Sequence, residues 1–291
     1  MQNFINYYEF DERAHQLSPS TIRTNKDRLR LLARWLSQQG IAADNVTHNH
    51  IQQYLLSLYG RLADESIAGY IRTYQRFWNV LIEGGIWSNP SPMLGIKKPR
   101  LSHKRRKTIT PAEFEAILGV CNKRTFIGYR NFTMLLMFWD CMLRRAEIAN
   151  LQIEDIDLNG GLIRVKGKGN KMRLVPIGSK LIRTLHFYLL KWRKGYAGSF
   201  VFCSTQGTPL NIHHIRQICH RTALKVGLKI GCHIIRHSSA TEYLRLGGSL
   251  SVLSKILGHS DISTTAIYTH LLTEDLVKSY QNFSPANNLK V

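Results

Sequence analysis

Apolar residues recur every three or four positions through most of the chain and switch to strict alternation in one short stretch. That pattern predicts many helices and one small hairpin. Ser18-Pro19 supplies an N-cap and a proline at the first helical position, opening a helix to about Gln39, with Gly40 as its stop. Ile22, Leu29, Leu32, Ala33 and Leu36 fall on one face of it, and Arg23, Lys26, Arg30 and Arg34 form an adjacent basic stripe. A second helix fits Thr47 to Leu58. A third fits about Glu65 to Glu83, with an apolar stripe of Ile67, Tyr70, Ile71, Tyr74, Trp78, Leu81 and Ile82. Arg72 and Arg76 lie off that stripe, and Gly84-Gly85 ends the helix.

The periodicity breaks over Asn89 to Lys107, which contains Pro90, Pro92 and Pro99. Between Lys97 and Lys107, seven of eleven residues are basic and none is acidic, so the run repels itself and predicts an exposed, extended tether. Regular patterning resumes at Thr110-Pro111-Ala112-Glu113, a capping box. A helix to about Cys121 and an apolar helix from about Asn131 to Met142 follow. Gly161 to Lys166 and Lys171 to Ile177 read as two strands, turning at Gly167-Lys168-Gly169-Asn170. Further helices are predicted at 179–194, 211–226, 234–246, 250–257 and 261–268. The fold class is therefore mainly α in two domains. Residues 1–88 form a helical N-terminal bundle, 89–107 a basic linker, and 108–291 a mainly α domain with a small antiparallel β-sheet.

Charge narrows the partner. The chain carries 40 Lys and Arg against 19 Asp and Glu, a net charge of +21, and self-repulsion of that size favours a polyanionic partner, nucleic acid first. Both halves share the excess: residues 1–107 hold 16 basic and 8 acidic side chains, so both are placed to touch the same polyanion. The exposed candidates for DNA-backbone contact are Arg23, Lys26, Arg30, Arg34, Arg72, Arg76, Lys104, Arg105 and Arg106. Arg216 and Arg221, on the basic face of helix 211–226, join them. A solvated face is the ordinary use of such charges, and the recurrence of one sign on several elements argues for the contact. Five scattered cysteines without a Cys-x-x-Cys pair suggest reduced thiols and a cytoplasmic protein. No apolar stretch is long enough for a membrane span, and no signal peptide opens the chain.

Five sequence elements carry candidate chemistry. Leu143-Arg144-Arg145-Ala146-Glu147 follows an apolar helix, and Lys168 sits at the hairpin tip. His233-Ile234-Ile235-Arg236-His237 opens a helix. His259, in Leu257-Gly258-His259, lies 23 residues after Arg236, and Tyr268 lies 9 residues after His259. Taken singly, each has an ordinary explanation: a helix-end charge, a turn lysine, a packed tyrosine. His213, His214, Cys219, His220, Cys232, His233 and His237 are dense, but they lack the paired spacing of a zinc site, so no metal is expected.

As an ordered set, these elements resemble the tyrosine recombinase, or phage integrase, family, and the likeness covers almost the whole chain. The resemblance makes Arg144 and Arg236 the catalytic arginines, Lys168 the catalytic lysine, His233 and His259 the histidine positions and Tyr268 the nucleophile. The chain departs from the family pattern at Cys141-Met142, where a small residue and a glycine often precede the Leu-Arg pair. What the resemblance implies is a site-specific recombinase, Xer-like or carried by a mobile element. Such an enzyme cuts and rejoins duplex DNA through a 3′-phosphotyrosine and a Holliday junction. It would clamp the duplex between its two domains and assemble as a homotetramer on DNA, with residues 271–291 docking into a neighbouring protomer. The tyrosyl phosphate conserves the energy of the broken bond, so neither ATP nor a metal cofactor is expected. The rivals are a DNA-binding regulator that has lost catalysis and a strand-relaxing topoisomerase of the same chemistry. Against the first, no member of the catalytic set is missing.

Overall fold

The computed structural model describes residues 1–99, 107–167 and 171–258. Arg100, Lys104, Arg105, Arg106, Lys168, His259 and Tyr268 lie outside the described residues, as do the helix predicted at 261–268 and the stretch 271–291. The chain divides into two compact units, Met1–Arg105 and Arg106–Val291.

The first unit holds four α-helices among its described residues: α1 (Gln2–Ala14), α2 (Pro19–Gln38), α3 (His48–Leu58) and α4 (Asp64–Glu83). Ser18 caps α2 by accepting the Thr21 backbone N–H, and Thr47 does the same for His50 in α3. The apolar stripes meet as predicted, burying Leu29, Leu32, Leu36, Ile51, Ile67, Ile71, Tyr74, Trp78 and Leu81. Phe77 is buried in place of Ile82, which is 39% exposed; the last turn of α4 points it away from the core. Helix α1 is a correction. The pattern gave no helix before Ser18, because this segment has no side-chain cap and its apolar residues are scattered, yet Ile5 and Tyr8 are fully buried. The stretch read as linker also begins inside this unit: Met93 is buried in its core, and Ile96 packs against it.

The second unit begins with α5 (Pro111–Gly119), closed by the Thr110–Glu113 capping box, and continues with α6 (Phe126–Asp140). Helix α6 starts earlier than predicted, because Thr125 caps it through the Gly128 N–H. A short helix, α7 (Arg145–Asn150), was not predicted; six residues are too few to display a periodicity. Among the described residues the sheet has three antiparallel strands, β1 (Ile156–Asp157), β2 (Leu162–Lys166) and β3 (Met172–Pro176), with β2 in the centre. The sequence predicted only β2 and β3; β1 is two residues long. The β2–β3 register pairs Val165 with Arg173 and Ile163 with Val175, putting these four on the inward face. Helix α8 (Ser179–Phe187) passes into a π-helical turn at Tyr188–Arg193. There the buried Arg193 donates to the carbonyls of Phe200, Ala197 and Gly198 and so closes the following loop. The described part ends with α9 (Ile212–Leu224), α10 (Cys232–Arg245) and α11 (Leu250–Leu257). One apolar core spans α5, α6, the inward sheet face and α8 to α11. No helix among the described residues is long and apolar enough to cross a membrane.

Candidate active site

The site grows from the end of α6. Cys141, Met142 and Leu143 are all buried, so the chain must turn without leaving the core. It does so through Met142, whose φ of +51° lies in the left-handed region that costs a side-chain-bearing residue about 1–2 kcal/mol. This is where the sequence departs from the family's glycine: the left-handed turn is made by methionine. Arg144 follows in extended conformation as the N-cap of α7, and Glu147 is the third residue of that helix. The Glu147 carboxylate reaches back to accept the Arg144 backbone N–H at 2.7 Å, which is how a helix start satisfies one of its free donors.

Glu147 is the hub of a cluster. Its side chain is only 4% exposed, and three guanidinium groups converge on it. Arg144 donates from Nη1 at 3.0 Å. Arg173, on the inward face of β3, forks onto both oxygens at 2.8 and 2.9 Å. Nη1 of Arg236, from α10, lies 3.9 Å from Oε2. Burial alone would raise the Glu147 carboxyl; the hydrogen bonds from Arg173 and Arg144 outweigh it and hold the group below its ordinary value. One carboxylate therefore faces three permanent cations, and the cluster is left with excess positive charge.

The arginines are also fixed by carbonyls. Arg236 donates from Nη2 to Leu257 O at 3.0 Å and from Nη1 to Met142 O. Arg173 donates from Nε to Ile256 O at 2.9 Å, and Arg144 reaches Gly258 O at 3.4 Å. Thus Arg144 and Arg236, 92 positions apart in sequence, meet at the C-terminal end of α11. Gly258 ends that helix in left-handed conformation, φ +63°. His233 is exposed, one turn before Arg236 on α10. The structure thus brings Arg144, His233 and Arg236 to one region, with the chain leading to His259 leaving from Gly258.

Glu147 and Arg173 had no role in the sequence reading. Strand alternation carried a signal for Arg173: positions 173, 175 and 177 share a face, so a charge among Val175 and Ile177 is turned inward, where it needs a partner.

The basic candidates elsewhere divide in two. On α2, Arg23, Arg30 and Arg34 are exposed, and Arg30 has Asp27 at 3.7 Å. Lys26 is tied to Glu9 and Arg76 to Asp11 at 3.2 Å, both acids coming from the unforeseen α1; Arg72 is exposed. In the second unit Arg216 and Arg221 are exposed on α9. An open hollow there is lined by His213, Arg216, His220, Lys229 and Ile234, and it adds a lysine that the sequence reading had missed.

The phage integrase family profile matches residues 107–275, and that of the phage integrase N-terminal SAM-like domain matches residues 2–85. The chain is 31% identical to the tyrosine recombinase XerD of Staphylococcus saprophyticus, over 96% of this chain and 97% of that one. It is 30% identical to the tyrosine recombinase XerC of Oceanobacillus iheyensis, over 99% and 96%. Among solved structures, the fold resembles the integrase of transposon Tn1549 in complex with transposon right-end DNA. That match has a TM-score of 0.76 at 18% identity, covering 97% of this chain and 99% of the other. It also resembles the XerH site-specific recombinase bound to a palindromic difH substrate, with a TM-score of 0.74 at 22% identity over 95% and 83%.

Proposed function

The chain belongs to the phage integrase family of tyrosine recombinases, and from that premise we propose how its residues cut and rejoin DNA. It is a DNA strand transferase acting in site-specific recombination. Its partner is duplex DNA, which the solved relatives of this fold hold: transposon-end DNA for the Tn1549 integrase and difH for XerH.

The observation that carries the assignment of residues is the convergence of Arg144 and Arg236 on the Glu147 hub. The scissile phosphate is anionic and gains charge as a fifth oxygen approaches phosphorus. Two preorganised guanidinium groups can donate to its non-bridging oxygens and stabilise that charge. Arg144, 35% exposed at the side chain, is the more open of the two; Arg236, 11% exposed, is the more rigidly held. Glu147 aligns both forks but neutralises only one positive charge, leaving room for the phosphate.

The rest of the step is assigned to the other members of the set. The Tyr268 phenol gives its proton to His233, and its oxygen bonds to phosphorus. The bond from phosphorus to the 5′ oxygen breaks, and Lys168 supplies the proton that this leaving oxygen needs. His259 donates to the phosphate. A 3′-phosphotyrosine and a 5′ hydroxyl result. A 5′ hydroxyl from a second duplex reverses the step, and a Holliday junction links the two exchanges. Two duplexes with four cleavable strands call for four protomers, so the enzyme works as a tetramer assembled on DNA in the cytoplasm. The basic residues of α2, α4, α9 and the linker hold the DNA backbone. The regulator that has lost catalysis is the weaker reading, because the arginine pair is present and held in place with positive charge to spare.

The test is Tyr268→Phe, which removes one oxygen and keeps the ring. Site binding and melting are expected to stay as in the parent protein. The covalent adduct on a nicked suicide substrate is expected to vanish. An adduct formed by the Phe variant overturns the assignment of the nucleophile.

A further inference from the structure

Arg173 belongs to no part of the catalytic set above, yet it makes three hydrogen bonds in the hub. Its fork takes both Glu147 oxygens, and its Nε takes the Ile256 carbonyl at the end of α11. It also lies against two glycines. A methyl group placed on Gly258 would meet Arg173 Cδ, Nε and Nη1 at 3.0–3.1 Å, and one on Gly167 would meet Nη1 at 3.4 Å. Those glycines immediately precede His259 and Lys168 in the sequence. The guanidinium is therefore wedged between the segments that run into two residues of the proposed set, while it grips the carboxylate that holds the third, Arg144.

We propose that Arg173 is a positioning residue for strand cleavage: it fixes Glu147, and through it Arg144, and braces the chain at Gly167 and Gly258. The proposal rests on the reading of the site given above. The physical case is that a charge on the inward face of a strand is costly unless its donors are used. Here the hydrogen bonds of the side chain run to two different elements around one centre: α7 through Glu147, and the end of α11 through Ile256. Lysine in its place keeps the charge but has neither the planar fork nor the reach to both acceptors. An apolar residue would leave the buried Glu147 carboxylate with fewer donors and its hold on Arg144 loose.

The experiment uses the full-length protein, a duplex recombination site for binding, and a nicked suicide substrate for covalent adduct formation. Arg173→Lys is expected to bind the site as the wild type does and to form the adduct about 10–100-fold more slowly, the scale of a misplaced catalytic group. Arg173→Gln is expected to be slower still. Its pH profile should also change. Glu147 then faces only Arg144 and Arg236, its carboxyl rises, and the cleavage rate falls on the acid side at a higher pH than in the wild type. A purely structural ion pair would lower the melting temperature and leave the adduct rate, measured well below melting, and its acid limb in place; that result overturns the proposal. Should both variants melt below the assay temperature, Glu147→Gln asks the same question from the other side of the contact: the amide keeps the shape and one acceptor oxygen but cannot take the whole Arg173 fork. A wild-type adduct rate in Glu147→Gln overturns the role, and a slowed rate with unchanged site binding supports it. A wild-type protein that forms no adduct overturns the function reading itself, which separates the two failures.

Discussion

The helix-face arginines of the first unit and the hub arginines of the second are used in opposite ways. On α2 and α4, Arg23, Arg30, Arg34 and Arg72 stand in solvent on helix faces, with at most a surface acid nearby. In the second unit Arg144, Arg173 and Arg236 converge on one buried carboxylate and are fixed by backbone carbonyls. An exposed arginine is mobile and screened by salt, so it adds affinity for any phosphate within reach and little discrimination. A sheltered, hydrogen-bonded arginine has its orientation settled before the substrate arrives, so its charge acts at one place and needs no reorganisation during reaction. The first arrangement suits holding a duplex; the second suits stabilising one phosphoryl group.

That contrast can be broken most sharply in the hub. Arg144→Ala and Arg236→Ala are each expected to slow covalent adduct formation by about 10²–10³-fold, the usual cost of removing one charge-stabilising donor. Site binding should weaken far less. Single-turnover rates at saturating protein check this, and a rate that falls only in proportion to affinity would put the hub in the same class as the surface arginines.

A smaller effect is expected at the surface. Changing Arg23, Arg30 and Arg34 together to Ala should weaken binding alike on every DNA sequence. The slope of log K against log salt should shrink by about 0.9 for each phosphate that the variant no longer neutralises. Cleavage at saturating protein should be unchanged. The same substitution of Lys104, Arg105, Arg106 and Lys107 applies the test to the linker. A salt slope equal to that of the parent would show that these faces do not meet the backbone.

The smallest effect concerns the turn that feeds the hub. Met142 is 4% exposed and holds φ +51°, so Met142→Ala loses buried volume and keeps the strain. Met142→Gly loses a little more volume and removes the strain. Glycine usually costs about 0.5–1 kcal/mol relative to alanine, and here the order should invert. Chemical denaturation of both variants checks it: a Gly variant less stable than the Ala variant would mean that the left-handed turn carries no strain. Because Met142 O accepts from Arg236, the same pair of variants also reads how far the turn sets that arginine.

How much was legible follows the clarity of each element's apolar stripe rather than its length alone. Helices α2, α3 and α4 announced themselves through caps and apolar stripes, and the core they bury is the one those stripes name. Helices α1 and α7 and strand β1 did not. Each is short or uncapped, and each is held by the residues it packs on rather than by its own pattern. Lys26 and Arg76 read as free charges because the acids that pair with them, Glu9 and Asp11, sit on the one long helix that the pattern missed.

The sequence by itself determined the class of fold, the basic character of both halves and the ordered set of Arg144, Lys168, His233, Arg236, His259 and Tyr268. Residue type and spacing are one-dimensional quantities, and a long ordered pattern is specific even when each member is not. Only the tertiary structure decided that Glu147 is the hub, that Arg173 is turned in to share it and that Met142 makes a left-handed turn for its carbonyl to receive Arg236. A buried carboxylate with three cations around it is a balance between the cost of burial and the gain of hydrogen bonds. That balance exists only once β3, α7, α10 and the end of α11 have been brought together by the core beneath them.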